Sequence, residues 1–101
     1  MARHVRLTEH EIISALEGIP GWVYRNSKLH REFHFPDFSS AFGFMAASAT
    51  VAEKMDHHPE WSNVYSKVVV DLTTHDSDGV TELDLQLARR MSEFAPGPSP
   101  L

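Results

Sequence analysis

The chain has 101 residues, of which 42% are hydrophobic, and a formal net charge of -5 at pH 7; this length suits one domain with one ordinary core. The acidic balance argues against direct binding to nucleic acid, and the absence of cysteine excludes disulfides, thiolate metal ligands and thiol nucleophiles. No stretch has the length and apolar character of a secretory signal or a membrane span, so we expect a cytoplasmic protein with no membrane partner.

The same helix-start pattern occurs near each end of the chain. Thr8 is followed three residues later by Glu11, and Thr81 is followed in the same way by Asp84. Each threonine can cap the first free amides of a helix while the acid reaches back to the cap. We therefore interpret Asp84 as a capping acid rather than a catalytic group. The first helix should end near Gly18, since glycine suits a left-handed C-terminal cap.

Two pairs of strands are predicted between these helices. Residues 22–25 and 29–35 carry aromatic and alternating side chains on either side of the turn-prone residues 26–27, which favours a β-hairpin. Residues 67–74 form a β-branched run in which alternate side chains are apolar. The strand preceding this run should have Trp61, Asn63 and Tyr65 on one face.

A long amphipathic helix separates the two strand pairs, beginning after the N-cap Asp37 and ending near Pro59. One apolar stripe consists of Phe38, Phe42, Met45, Ala49 and Ala52. A second stripe consists of Ala41, Phe44, Ser48, Val51 and Met55. Together they are wider than one contact with a sheet requires. The helix is therefore either deeply buried or part of a subunit interface.

The predicted element order is α-ββ-α-ββ-α. We expect an α+β fold of two layers, with a four-stranded antiparallel sheet and the helices packed on one face. Residues 1–94 should form a single domain. Residues 95–101 are rich in proline and glycine, which predicts a disordered tail.

Histidine is the side chain best suited to proton transfer near neutral pH, and this chain has seven. His57 and His58 follow the long helix, where the negative end of the helix dipole favours a protonated imidazole. His75 lies at the far end of the valine-rich strand and would meet them if that strand runs beneath the helix end. Taken singly, each histidine is more readily explained as an exposed or hydrogen-bonded surface residue than as a catalyst.

Metal binding is the competing use of these histidines. His30 and His34 lie in a predicted strand, which would separate their side chains by roughly 13 Å and exclude a shared ion. His57, His58 and His75 could form a three-histidine zinc site, although adjacent residues seldom converge on one ion. We therefore expect no metal.

A longer pattern surrounds the paired histidines. The segment 53–65 reads EKMDHHPEWSNVY, and it continues in the LTTH of residues 72–75 and the GVT of residues 79–81. Together with REFHFPDF at residues 31–38, these motifs resemble the pterin-4a-carbinolamine dehydratase family. Apart from the first few residues and the tail, the resemblance covers nearly the whole chain.

This resemblance implies the dehydration of a 4a-hydroxytetrahydropterin, the carbinolamine left when an aromatic amino acid hydroxylase has used its tetrahydropterin cofactor. The product is the quinonoid dihydropterin, and no cofactor is expected. The implied catalytic and substrate-contacting residues are His57, His58 and His75. Flanking pterin contacts would come from Asp56, Thr73, Thr74 and Asp76, with Glu53 and Trp61 as outer members of the pocket. We assign proton transfer to His57 and His75 and binding of the ring to His58.

The resemblance also implies a homodimer or homotetramer. Some animal members of the family act as dimerisation cofactors for a homeodomain transcription factor. The alternative function is therefore a scaffold that stabilises a partner's dimer through the long helix, with any dehydratase activity incidental.

Overall fold

The computed structural model describes residues 4–95, and its elements follow the predicted order. The helices are α1 (Glu9–Leu16), α2 (Phe38–Met55) and α3 (Glu82–Phe94), and the strands are β1 (Val23–Arg25), β2 (Lys28–His34), β3 (Glu60–Val64) and β4 (Lys67–Leu72). A single 3₁₀ turn, His75–Ser77, precedes α3. The tail predicted at residues 95–101 lies, apart from Ala95, outside the described residues.

The four strands form one antiparallel sheet in the order β1-β2-β4-β3. Each hairpin is local, and the two are joined in the middle of the sheet, where Leu29 is paired with Leu72 and Phe33 with Val68. The first hairpin turns at Asn26 and Ser27, both in the left-handed region with φ of 53° and 64°. Two such residues form the turn that matches the twist of the flanking strands.

The sheet has one buried and one open face, because side chains alternate along each strand. The buried face carries Leu29, Phe33, Val68, Val70 and Leu72. The helices cover this face, and the ring of Phe44 on α2 lies 4.5 Å from that of Phe33. The predicted α+β architecture, with a four-stranded sheet and its helices on one side, is confirmed.

Both predicted capping boxes are present. The Thr8 hydroxyl accepts from the Glu11 amide, and the Glu11 carboxylate accepts from the Thr8 amide at 2.8 Å. Thr81 and Asp84 make the same reciprocal pair at the start of α3. None of the helices within residues 4–95 is long and apolar enough to cross a membrane.

The predicted end of the first helix near Gly18 is confirmed, since α1 ends at Leu16, but its cap is Glu17 in a right-handed conformation and not a left-handed glycine. The left-handed glycine is Gly21 (φ 97°), where the chain turns beneath the Arg31 side chain. The predicted position of Tyr65 is wrong. Tyr65 does not share a strand face with Trp61, because it occupies the left-handed position of the β3–β4 turn (φ 52°) and is 81% exposed.

The two stripes of α2 have different surroundings. The buried residues are Ala41, Phe44, Ser48 and Ala52, most of them from the second stripe, which faces β4 and α3. On the first stripe, Phe38 is 53% exposed and Phe42 is 58% exposed. One stripe therefore builds the core, and much of the other stays open.

Candidate active site

A cavity of about 690 Å³ lies where the end of α2, the end of β4 and the start of α3 meet. Its volume is in the usual range for a small-molecule site. The lining residues are His4, Met55, Asp56, His57, His58, Thr73, Thr74, His75, Asp76, Ser77 and Leu83.

The end of α2 places the paired histidines at this cavity. Asp56 adopts a left-handed conformation (φ 53°), and the His57 amide donates back to the Ala52 carbonyl at 3.0 Å. This is the hydrogen bond that closes a helix whose chain then leaves at a sharp angle. Pro59 prevents the helix from continuing. His57 is thereby turned inward, whereas His58 is exposed.

His57 is buried and bonded to the fully buried Asp84, with His57 Nε2 2.6 Å from Asp84 Oδ1. Because an ionised carboxylate can only accept, the proton between these atoms lies on Nε2. The other ring nitrogen, Nδ1, has no hydrogen-bond partner within residues 4–95 and is reached by solvent. Nδ1 is therefore the nitrogen of His57 available to a ligand.

Asp84 is itself held by three donors. Its Oδ2 accepts from the Thr74 hydroxyl at 2.8 Å and from the Thr81 amide at 2.9 Å, while His57 occupies Oδ1. The Thr74 and Thr81 hydroxyls also contact each other at 2.7 Å. A buried carboxylate with this many donors is fixed in place. It joins the end of β4 and the start of α3 to the end of α2.

His58 makes a second histidine–carboxylate pair at the edge of the cavity. Its Nε2 lies 3.0 Å from Glu53 Oε1, one turn back on α2. Both side chains are exposed. Since exposed pairs of this kind contribute little to stability, His58 is held loosely compared with His57.

His75 makes the third pair, in the 3₁₀ turn after β4. Its Nε2 lies 3.0 Å from Glu60 Oε2, and the other carboxylate oxygen of Glu60 accepts from Lys28 Nζ at 2.5 Å. The hydrogen bond from Lys28 holds the pKa of Glu60 below its ordinary value; partial burial opposes this, and His75 adds to it. The Glu60 carboxylate thus lies between the Lys28 ammonium and the His75 ring.

Most of the residues proposed from the sequence lie together at this cavity. Asp56, His57, His58, Thr73, Thr74, His75 and Asp76 all line it. Glu53 reaches it only through His58. Trp61 does not line it: the indole is half-buried and packs against the hydrophobic core from the covered face of the sheet.

Sequence reasoning missed the part played by two acids. Asp84 does cap α3, as predicted, but the same carboxylate also holds His57. Glu60 received no prediction at all. Nothing in the local sequence marks either contact, since the partners lie 27 and 15 positions away and meet only in the folded chain. Within residues 4–95, no three histidine, aspartate or glutamate side chains are arranged to hold a metal ion.

Comparison with known proteins places this chain in a family. The model of the family described as "Pterin 4 alpha carbinolamine dehydratase" matches residues 5–94. Proteins from Solibacter usitatus (52% identity, 91% of this chain and 97% of the relative) and Brucella ovis (54%, 94% and 99%) are both named "Putative pterin-4-alpha-carbinolamine dehydratase". A crystal structure described as a transcriptional coactivator/pterin dehydratase from Brucella melitensis has a TM-score of 0.88 and 52% identity, covering 90% of this chain and 99% of that chain.

Proposed function

Because the chain belongs to the pterin-4a-carbinolamine dehydratase family, we propose that it eliminates water from a 4a-hydroxytetrahydropterin to give the quinonoid dihydropterin. The observation that carries this proposal is the cavity with three histidines, each paired with a carboxylate: His57 with Asp84, His58 with Glu53 and His75 with Glu60. Such pairs set which ring nitrogen holds a proton, which acid–base catalysis requires.

The reaction needs one proton donor and one proton acceptor. The C4a–O bond breaks as a protonated histidine gives its proton to the departing hydroxyl, which leaves as water. The lone pair of the neighbouring ring nitrogen forms the new double bond to C4a, and the proton on that nitrogen passes to a neutral histidine. Protons and electrons balance, and no redox cofactor takes part.

We assign these two transfers to His57 and His75. His57 offers Nδ1 from a rigid setting, because Asp84, held by its two other donors, fixes the ring. His75 lines the cavity from the 3₁₀ turn, on a different element from His57. If His57 reaches one face of C4a and His75 reaches the other, the two histidines exchange the roles of proton donor and proton acceptor when the configuration at C4a is inverted.

His58 has a different task in this proposal. It is exposed at the rim of the cavity and held only by Glu53, so we assign it to contact with the pterin ring. Asp56, Thr73, Thr74 and Asp76 supply further polar contacts around it. The Thr74 hydroxyl already donates to Asp84, which links substrate contact to the position of His57.

The test is the initial rate of dehydration of enzymatically generated carbinolamine, measured against substrate concentration with no added metal and with a chelator. We expect acceleration in both conditions. His57→Ala and His75→Ala should each give a modest loss and the double variant a severe one, because positioned proton transfer contributes about 10² to 10⁴ in rate. His58→Ala should raise KM more than it lowers kcat.

His10→Ala is the matched control, since His10 is exposed on α1 and does not line the cavity; its rates should equal those of the wild type. Circular dichroism confirms folding of every variant. A folded double variant that keeps wild-type rates would show that these histidines are structural. Loss of activity on chelation, with recovery on adding zinc, would refute a metal-free mechanism.

A further inference from the structure

The open face of the sheet carries a chain of charged groups that ends at the cavity. Lys28 is on β2 and Glu60 is on β3, and β4 lies between these two strands. Lys28 Nζ nevertheless reaches Glu60 Oε1 at 2.5 Å, so its side chain crosses over the central strand. Glu60 Oε2 then contacts His75 Nε2 at 3.0 Å. The chain spans three strands and the 3₁₀ turn.

The neighbours of Glu60 explain why a lysine is needed there. Glu60 is paired directly with Asp71 of β4, and two carboxylates in that relation repel each other. The Asp71 carboxylate has a hydrogen-bond partner in His30, whose Nδ1 lies 2.9 Å from Asp71 Oδ1. Glu60 is compensated by Lys28 and His75. Without Lys28, the Glu60 carboxylate would face Asp71 with His75 as its one remaining ion-pair contact within residues 4–95.

The orientation of the His75 ring depends on Glu60, because the ring has few other contacts. The His75 side chain is 78% exposed, and the contact with Glu60 is its one ion-pair contact within the described part of the chain. Nε2 is the ring nitrogen that lies 3.0 Å from the Glu60 carboxylate, so a proton on Nε2 is the one that this carboxylate favours. The nitrogen left for a ligand is Nδ1, as in His57.

We propose that Glu60 and Lys28 are positioning residues for His75: Lys28 holds the Glu60 carboxylate over β4, and the carboxylate orients the His75 ring so that Nδ1 is presented to the substrate. A role for these three side chains in catalysis rests on the proposed dehydratase function. The coupling of the three side chains does not, since it follows from their contacts alone.

The first measurement reports the coupling without reference to activity. The ring nitrogens of His75 are observed by ¹⁵N NMR near neutral pH in the wild type, Glu60→Gln and Lys28→Met. We expect the proton mainly on Nε2 in the wild type and a mixture of the two tautomers in Glu60→Gln, with Lys28→Met between them. Lys67→Met is the control, because Lys67 is on the same open face at the opposite end of β4; its spectrum should match the wild type.

The second measurement is kinetic. Glu60→Gln should lower kcat by about tenfold with little change in KM, since a misplaced catalytic group costs rate rather than affinity. Lys28→Met should act through pH: Lys28 holds the pKa of Glu60 down, so without it Glu60 is protonated at higher pH. The acid limb of the rate profile should therefore move to higher pH in Lys28→Met and not in Lys67→Met.

The outcomes separate the two proposals. If the wild type does not dehydrate the carbinolamine but the His75 tautomer responds to Glu60 and Lys28, the function is wrong and the positioning stands. If the wild type is active and the tautomer and the pH profile are the same in all variants, the positioning is overturned and the function stands. An inactive protein with an unresponsive tautomer overturns both.

Discussion

At the scale of single residues, Asp84 performs two tasks with one carboxylate. Through Oδ2 it caps α3, and through Oδ1 it holds His57. The first task contributes to stability and, in the proposed mechanism, the second contributes to proton transfer, so a change at this position should affect both. A replacement that keeps the shape of the side chain is needed to tell them apart.

We expect Asp84→Asn to fold but to lower kcat/KM by about 10² to 10³, because an amide that turns its NH₂ group to His57 favours the wrong tautomer of the ring. Stability should fall by about 1–3 kcal/mol, since a buried carboxylate acceptor is replaced by a neutral amide and the hydrogen bond to His57 is weakened. Rate assays and urea unfolding measure the two effects.

Asp37→Asn is the control for this prediction, because the Asp37 carboxylate also caps a helix start, as the N-cap of α2, but at the opposite end from the cavity. It should leave the rate unchanged. If Asp84→Asn loses stability and keeps full activity, Asp84 is a cap alone.

The sequence could predict the histidines of the site and Glu53 beside them, but not Asp84 and Glu60 as the partners of His57 and His75. The family motif marks His57, His58 and His75 because it is local and ordered along the chain. The link from His57 to Asp84 depends on how α2 and α3 pack, and Thr81–Asp84 already had a sufficient explanation as a capping box. A residue with a satisfactory local explanation gives no signal that it has a second partner.

At the scale of elements, α2 is well packed but buries one hydroxyl group that has no hydrogen-bond partner within residues 4–95. This hydroxyl is that of Ser48, which is fully buried. A buried hydroxyl without a partner costs about 1–3 kcal/mol. The sequence showed Ser48 as the one polar interruption of an apolar stripe, but only the packing shows that nothing satisfies it.

We therefore expect Ser48→Ala to stabilise the protein by about 1 kcal/mol, measured by urea unfolding. Thr50→Ala is the control: Thr50 is exposed on the same helix and its hydroxyl bonds to the Ala46 carbonyl. Because alanine favours helix at both positions, the control measures that contribution. A gain no larger for Ser48→Ala than for Thr50→Ala would contradict the proposed penalty.

At the scale of the whole molecule, α2 also leaves an apolar surface uncovered. The rings of Phe38 and Phe42 lie 6.0 Å apart and both are more than half exposed. Adjacent exposed aromatic rings on one helix are typical of a contact with another protein. The sequence predicted this surface from the width of the apolar stripes, but a stripe cannot say which of its residues the core will use.

We propose that this surface joins copies of the chain into a homodimer or homotetramer. Light scattering at micromolar concentration should give a multiple of the 11.4 kDa chain mass. Phe42→Glu should lower the mass, since a charge there opposes burial. Ile13→Glu, which alters an exposed apolar residue of α1, should not. A monomeric wild type would refute the assembly.

The short chain separation among the site residues has a consequence for the folding pathway. The partners His57 and Asp84 are 27 positions apart, and the β3–β4 hairpin lies between them. Loop closure over such a span has a modest entropic cost, so this half of the chain can assemble most of the site before the central strands associate. Lys28 is on β2, in the other half of the chain. Its contact with Glu60 can therefore form only when the two halves have docked.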